Sequence, residues 1–282
     1  MPDVFDFPRD IQPILDRHCV ACHDYEKTTK GGPRSGGVIL TSDRGPMYSH
    51  SYYTLTVRGQ FSDGRNGGGN RPPRSIGSSA SPLMKRLDGQ HHDVRLSAHE
   101  KRMIRLWIES AAPYPGTYAA LGSGMVGGVG GDAATRQVLE KRCSQCHPKR
   151  HFTEDAAWNL TRPEKSVLLL APLAPEAGGY GMTRKVTKEG KEVEECVSVF
   201  ESAADPDYQT LLNGVRESRK QLEQIKRFDV PGFRPNEHYV REMKFYGILP
   251  QDLPADAPID VYETDRAYWR SLWYDPAVYR SN

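Results

Sequence analysis

Two short stretches carry the residue types with the most specific chemistry, Cys19-Val20-Ala21-Cys22-His23 and Cys143-Ser144-Gln145-Cys146-His147. In a Cys-x-x-Cys-His run the two thiols can each add to one vinyl group of a porphyrin, while the imidazole that follows reaches the iron from the same face. Porphyrin geometry sets that spacing. The pattern therefore predicts two covalently bound haem c groups, with Cys19, Cys22, Cys143 and Cys146 as attachment points and His23 and His147 as proximal iron ligands. A single such motif also reads as half a zinc knuckle, a dithiol redox pair or coincidence. For the two together the competing reading is zinc held by four thiolates, which leaves both histidines without a role.

The sixth position on each iron separates a relay from a reaction centre, because a strong second ligand favours electron transfer and an open position admits small molecules. For the first haem the candidates are His92 and His91, in the loop His91-His92-Asp93-Val94-Arg95-Leu96-Ser97, although adjacent histidines are also common in solvated loops. His50 is the next candidate, followed by Tyr25, whose phenolate could bind ferric iron two residues past His23. His18 and His99 read as surface residues. For the second haem the matching loop, Phe228-Asp229-Val230-Pro231-Gly232-Phe233-Arg234-Pro235, contains neither His nor Met. Met182, His238 and Met243 are the remaining donors, with Met243 at the spacing of a core residue. His151 reads as a neighbour of that haem. Cys196, the odd thiol, reads as a buried apolar residue or a ligand for a soft metal.

The elements that must position these groups come in two copies. The motifs start 124 residues apart, and Ser81-Pro82-Leu83 and Asp205-Pro206-Asp207 each open a segment 58 residues after the motif His. Between them lie Leu40-Thr41 in one copy and Leu160-Thr161 in the other. Segments 9–15 and 135–140 suit the helix that ends at each motif. Ser97 and Glu100 form a capping box before Ile104, Trp107, Ile108 and Ala111, which share one helical face. A long helix is expected from Asp205 to about Lys226, with Leu211, Leu212, Val215, Leu222 and Ile225 apolar. Another follows Asn236, with Tyr239, Val240, Met243 and Tyr246 on one face and Gly247 as its stop. The Gly-rich run 122–131 has little to pack and reads as a linker. Segment 59–73 reads as an exposed loop, and 185–197 as a small β-hairpin turning at Glu189-Gly190.

Composition narrows the partners. The 282 residues carry 38 Lys and Arg against 36 Asp and Glu, so the basic field of a nucleic-acid binder is missing and redox proteins are the expected partners. Hydrophobic residues make up only 37%, beside 26 Gly and 21 Pro, which is lean for a self-sufficient core and leaves room for two apolar haem discs. No run approaches the roughly 20 apolar residues that span a bilayer. The N-terminal residues do not form a secretory signal, whereas haem attachment follows export. The expectation is a mature extracytoplasmic (periplasmic) domain, or a piece of a longer exported polypeptide.

Phe7-Pro8-Arg9-Asp10-Ile11-Gln12-Pro13-Ile14-Leu15 leading into Cys19, then Gly36-Gly37-Val38-Ile39-Leu40, Ser81-Pro82-Leu83, Leu96-Ser97 and Trp107-Ile108, resembles the planctomycete-type cytochrome c domain. In that family a Met-Pro-Pro loop usually offers the distal Met; His91-His92-Asp93-Val94 stands in its place, which implies His. Nearly the whole chain, including residues 112–118, Pro172-Leu173-Ala174 with Gly178-Gly179, and Arg227-Phe228-Asp229 with Pro231-Gly232-Phe233, is similar to the di-haem region of proteins related to the hydrazine synthase alpha subunit. In the synthase one haem has a Tyr ligand just after its motif, with zinc on the displaced His and on a Cys from an earlier region. Here Tyr25 follows His23 by only two residues, and these residues include no such earlier region. Related chains carry Met before Pro-Gly in the second loop, where Val230 stands.

The sequence thus predicts a mainly α fold: two cytochrome c-like helical domains in tandem, 1–121 and 132–282, joined by 122–131, with long loops and a small β-hairpin insertion. The expected function is single-electron transfer by a di-haem cytochrome c. The alternative is a haem oxidoreductase, hydrazine synthase alpha-like, with one open iron reacting with a small nitrogen compound or peroxide.

Overall fold

A computed structural model describes residues 2–61, 72–89, 91–127, 129, 132–144, 147, 155–181, 186–188, 191–193 and 199–273. Cys146, His151, Met182, Cys196, the turn at Glu189-Gly190 and most of loop 59–73 lie outside the described residues. Those described are mainly helical.

The first half is ordered by end-capping. The Asp6 carboxylate accepts from the Arg9 N–H at 3.0 Å and starts a wide turn, Phe7–Ile11, that runs directly into α1 (Gln12–His18). Pro8 and Pro13 sit in the first turns of these two segments, where no intrahelical N–H is needed. Ser49 caps α2 (His50–Val57), and Pro82 opens α3 (Pro82–Arg86). At α4 (Ala98–Glu109) both halves of the expected capping box are present. These elements bury Phe7, Ile11, Leu15, Leu55, Ile104 and Trp107 together, and the Trp107 indole N–H donates to the Pro113 carbonyl at 3.0 Å.

In the second half, α5 (Ala133–Cys143) is capped by Asp132 and packs on α7 (Pro206–Ile225). Gly214 makes that approach possible, since a Cβ there would lie 2.5 Å from Thr135 Oγ1. A short α6 (Val167–Leu170) adds Leu169 to a core of Trp158, Leu160, Phe200, Leu211 and Val215. Strands β1 (Val186–Lys188) and β2 (Lys191–Val193) pair antiparallel, with Lys188 opposite Lys191. Helices α8 (Glu237–Phe245) and α9 (Val261–Ser271) form a third apolar cluster around Tyr239, Met243 and Val261, completed by Ala119 from before the Gly-rich run.

Five details differ from the sequence reading. Ala111, expected on the buried face of α4, lies beyond its last residue, takes a left-handed φ of 68° and is exposed. The Gly-rich run does pack: Val126 is buried in the second core and its N–H donates to the Pro46 carbonyl at 3.0 Å. Ile225 ends α7 at 42% exposure, and Tyr246 stands 47% exposed beyond α8, because the final turn of each helix rotates past the core. Helix α2 carries no amphipathic stripe that announces it.

The two halves meet where Leu160-Thr161 lies against Arg44. Leu160 N–H donates to the Arg44 carbonyl at 2.7 Å and Arg44 N–H to Thr161 Oγ1 at 2.9 Å. Around this ladder Asn159 donates to Asp43 at 2.6 Å, and Arg162 reaches Asp43 and Asp24, each at 2.7 Å.

Candidate functional site

The first motif continues from the last turn of α1. Cys19 N–H still donates to Leu15, and the N–H groups of Cys22 and His23 both reach back to the Cys19 carbonyl at 3.1 Å, closing the five residues into a tight loop. Cys19 and Cys22 are free thiols, Cys19 leaning on the core and Cys22 donating to the Lys30 carbonyl at 3.1 Å. Burial pushes the Cys19 thiol up to about 11.

His23 is half-buried between the backbone of Ser35 and Val38 and the loop that carries His91 and His92. Burial lowers its basicity and favours the neutral ring. Its Nδ1 is buried with no hydrogen-bond partner among the described residues. Across from it stands His91, ring centroids 6.0 Å apart and planes 11° from parallel. His92 is exposed and packs edge-on against His91, with centroids 4.8 Å apart.

The other candidates around this motif are engaged elsewhere. His50 is fully enclosed; its Nδ1 meets the Tyr25 hydroxyl at 2.6 Å and its Nε2 lies 3.1 Å from the Trp158 carbonyl. Both ring nitrogens and the phenol oxygen are thereby used in one buried chain. Burial also pushes the Tyr25 phenol well above its ordinary value, the opposite of what a phenolate ligand requires. Arg162 lies over the Tyr25 ring, 5.2 Å from its centroid. His18 pairs with Glu100 at 3.0 Å.

Compared with family models, curated proteins and solved structures, the chain matches none.

At the second motif Cys143 is a buried free thiol closing α5, and the His147 N–H donates to the Cys143 carbonyl at 2.9 Å, the same one-turn closure as in the first copy. The His147 side chain faces outward. His238 is exposed on α8, and Met243 is buried in the third cluster beside Tyr239. Among the described residues no three His, Cys, Asp or Glu side chains are grouped as a metal site of their own. No described helix is long and apolar enough to cross a membrane.

The loop after α7 has a different occupation from its first-copy counterpart. Val230 packs into the second core, while Arg227 and Asp229 pair side by side at 2.7 and 2.9 Å with side chains 3% and 2% exposed. Arg227 also donates to the carbonyls of Gly45 and Pro46 at 3.0 and 2.8 Å. The Tyr114 hydroxyl donates to Asp229 at 2.7 Å, and Arg44 donates to the Asp229 carbonyl at 2.8 Å. Sequence reasoning missed this cluster. Its partners lie more than a hundred residues apart, and no local pattern connects them.

Proposed function

We propose that the chain is a di-haem c-type cytochrome that passes single electrons between redox proteins outside the cytoplasm, built as two cytochrome c-like domains related to the hydrazine synthase alpha region. The observation that carries this reading is the facing pair His23 and His91 beside the free thiols Cys19 and Cys22. Burial that favours the neutral His23 ring suits an iron ligand, which binds through an uncharged nitrogen. Cys19 and Cys22 would hold the first haem by thioether bonds, with His23 and His91 as its iron ligands; Cys143, Cys146 and His147 would hold the second. When bound, haem supplies a one-electron iron couple whose potential follows axial ligand and burial. The chain's own part is to fix two imidazoles in place, keep them neutral and seat the ring against an apolar core.

An absorbance spectrum of the reduced protein with a pyridine haemochrome count tests the proposal. Two haems per chain are expected; colourless protein from a strain that matures cytochromes c would discard it. The second reading, a haem oxidoreductase with one open iron, is favoured by the loop at 228–235, whose Val230 points to the core and whose charged residues are spent on the other copy. A high-spin ferric signal that shifts with cyanide, azide or nitric oxide would support it, and two indifferent low-spin irons would rule it out.

A further inference from the structure

The C-terminal ends of α8 and α9 meet at the surface, and the side chains they bring together there are aromatic. The rings follow one another without a break. Between centroids, Phe245 lies 5.2 Å from Tyr246, Tyr246 5.3 Å from Tyr268, Tyr268 6.1 Å from Trp269, and Trp269 5.8 Å from Tyr118. Much of this row is open to solvent. Phe245 is 77% exposed and Trp273, four residues past Trp269, 74%, whereas the same two helices bury Tyr239, Met243 and Val261 in the third cluster. Single exposed apolar side chains are ordinary, but a continuous row of them marks a surface that something covers.

Charge indicates what covers it. Each helix carries an acid in its first turn, Glu237 in α8 and Glu263 in α9, and a base in its last turn, Lys244 and Arg270. The bases therefore lie at the aromatic end. Lys244 donates to the carbonyls of Gln251 and Leu253 at 2.9 and 3.2 Å, and Arg270 is exposed and pairs with no described carboxylate. Arg241, the next cation, is already matched by Glu242 at 2.9 Å. Two positive charges are thus left uncompensated beside the rings. A second copy docked through this face would meet the same face and set those like charges together. An anionic bilayer surface neutralises them, and tryptophan and tyrosine, apolar rings with a polar tip, favour the headgroup level of a bilayer.

We infer that the ends of α8 and α9 form a docking face for a bilayer interface that contains anionic lipid, with Phe245, Trp269 and Trp273 entering the headgroup region and Lys244 and Arg270 facing the phosphates. The attachment is peripheral, since no described helix is long and apolar enough to cross a membrane.

The test is co-sedimentation of the full chain with vesicles of equal parts phosphatidylcholine and phosphatidylglycerol, and with vesicles of phosphatidylcholine alone, at low ionic strength. Binding is expected to the mixed vesicles, more tightly than to phosphatidylcholine alone, and it should weaken as salt is added. Arg270→Gln should bind about fivefold more weakly, the share of one basic residue at an anionic surface. The double variant Phe245→Ser with Trp273→Ser changes only exposed positions, so it should melt as the wild type does yet bind about tenfold more weakly or less tightly still. No sedimentation with the mixed vesicles, equal sedimentation with both kinds, or binding that the double variant keeps would overturn the inference. Sedimentation velocity without lipid identifies the competing occupant: a wild-type dimer that the double variant dissolves, with no binding to vesicles, assigns the face to a second copy and overturns the lipid reading. Haem does not enter these measurements, so their outcome is independent of the function proposed above.

Discussion

His91 and His92 are neighbours in the chain with opposite surroundings. Backbone φ values of 48° at His92 and 57° at Asp93 reverse the loop, leaving His91 against His23 and turning His92 to solvent. His91→Ala is therefore expected to remove one low-spin ferric signal from the electron paramagnetic resonance spectrum and replace it with a high-spin one, while His92→Ala leaves both signals unchanged. The reverse pattern would sink the assignment. Tyr25→Phe tests the buried chain beside it. Losing the phenol strands His50 Nδ1 with no solvent to replace the bond, so a cost of about 1–3 kcal/mol is expected in denaturant unfolding. The two motifs and both candidate histidines were legible as residue types. Which histidine faces His23 was not, because one residue of loop reversal decides it and neither residue belongs to a periodic element.

Among the elements, α4 was the most legible, since Ser97-x-x-Glu100 before Ile104, Trp107 and Ile108 states both its start and its buried face. Ser97→Ala should cost about 1 kcal/mol by removing the cap, read as a fall in the denaturation midpoint. Partial burial works against ionisation of Glu100, but bonds from the Ser97 N–H, His18, the Ser97 hydroxyl and Arg17 outweigh it and hold the carboxyl at about 2 against an ordinary 4.5. Because the folded value is the lower one, this contribution is complete above pH 4.5 and is lost as the pH falls towards 2. Wild type should thus lose stability across that window more steeply than Glu100→Gln, with thermal unfolding at several pH values as the measurement. Helix α9 does have an apolar side, with Val261, Tyr262 and Tyr268 in the third cluster, and was missed in part because two polar side chains, Thr264 and Asp265, are buried beside them. In α2 the buried set is His50, Ser51, Tyr53, Thr54 and Leu55, again mostly polar or aromatic and without helical period.

Across the whole molecule, the repeat predicted two copies but said nothing of how they join, and the join is polar. Arg227 and Asp229 are spaced too closely to mark an element, and their partners Gly45, Pro46 and Tyr114 can be found only once the chain has folded. This pair also reaches the first motif in steps: Asp229 accepts from Tyr114, whose oxygen accepts from the Ser49 N–H at 3.0 Å, and Ser49 caps the helix that begins with His50, the partner of Tyr25. Arg227→Met leaves the buried Asp229 carboxylate with only Arg44, 3.8 Å away, as a cation, and two buried carbonyls without a donor, a change worth up to about 3–5 kcal/mol when one member of a buried pair is removed. Replacing both members, Arg227→Met with Asp229→Leu, removes the uncompensated charge but still strands the two carbonyls and the Tyr114 hydroxyl. The double variant should therefore unfold at a denaturant concentration between those of wild type and Arg227→Met. A double variant no more stable than Arg227→Met would mean that the carbonyl contacts, and not the ion pair, hold the copies together.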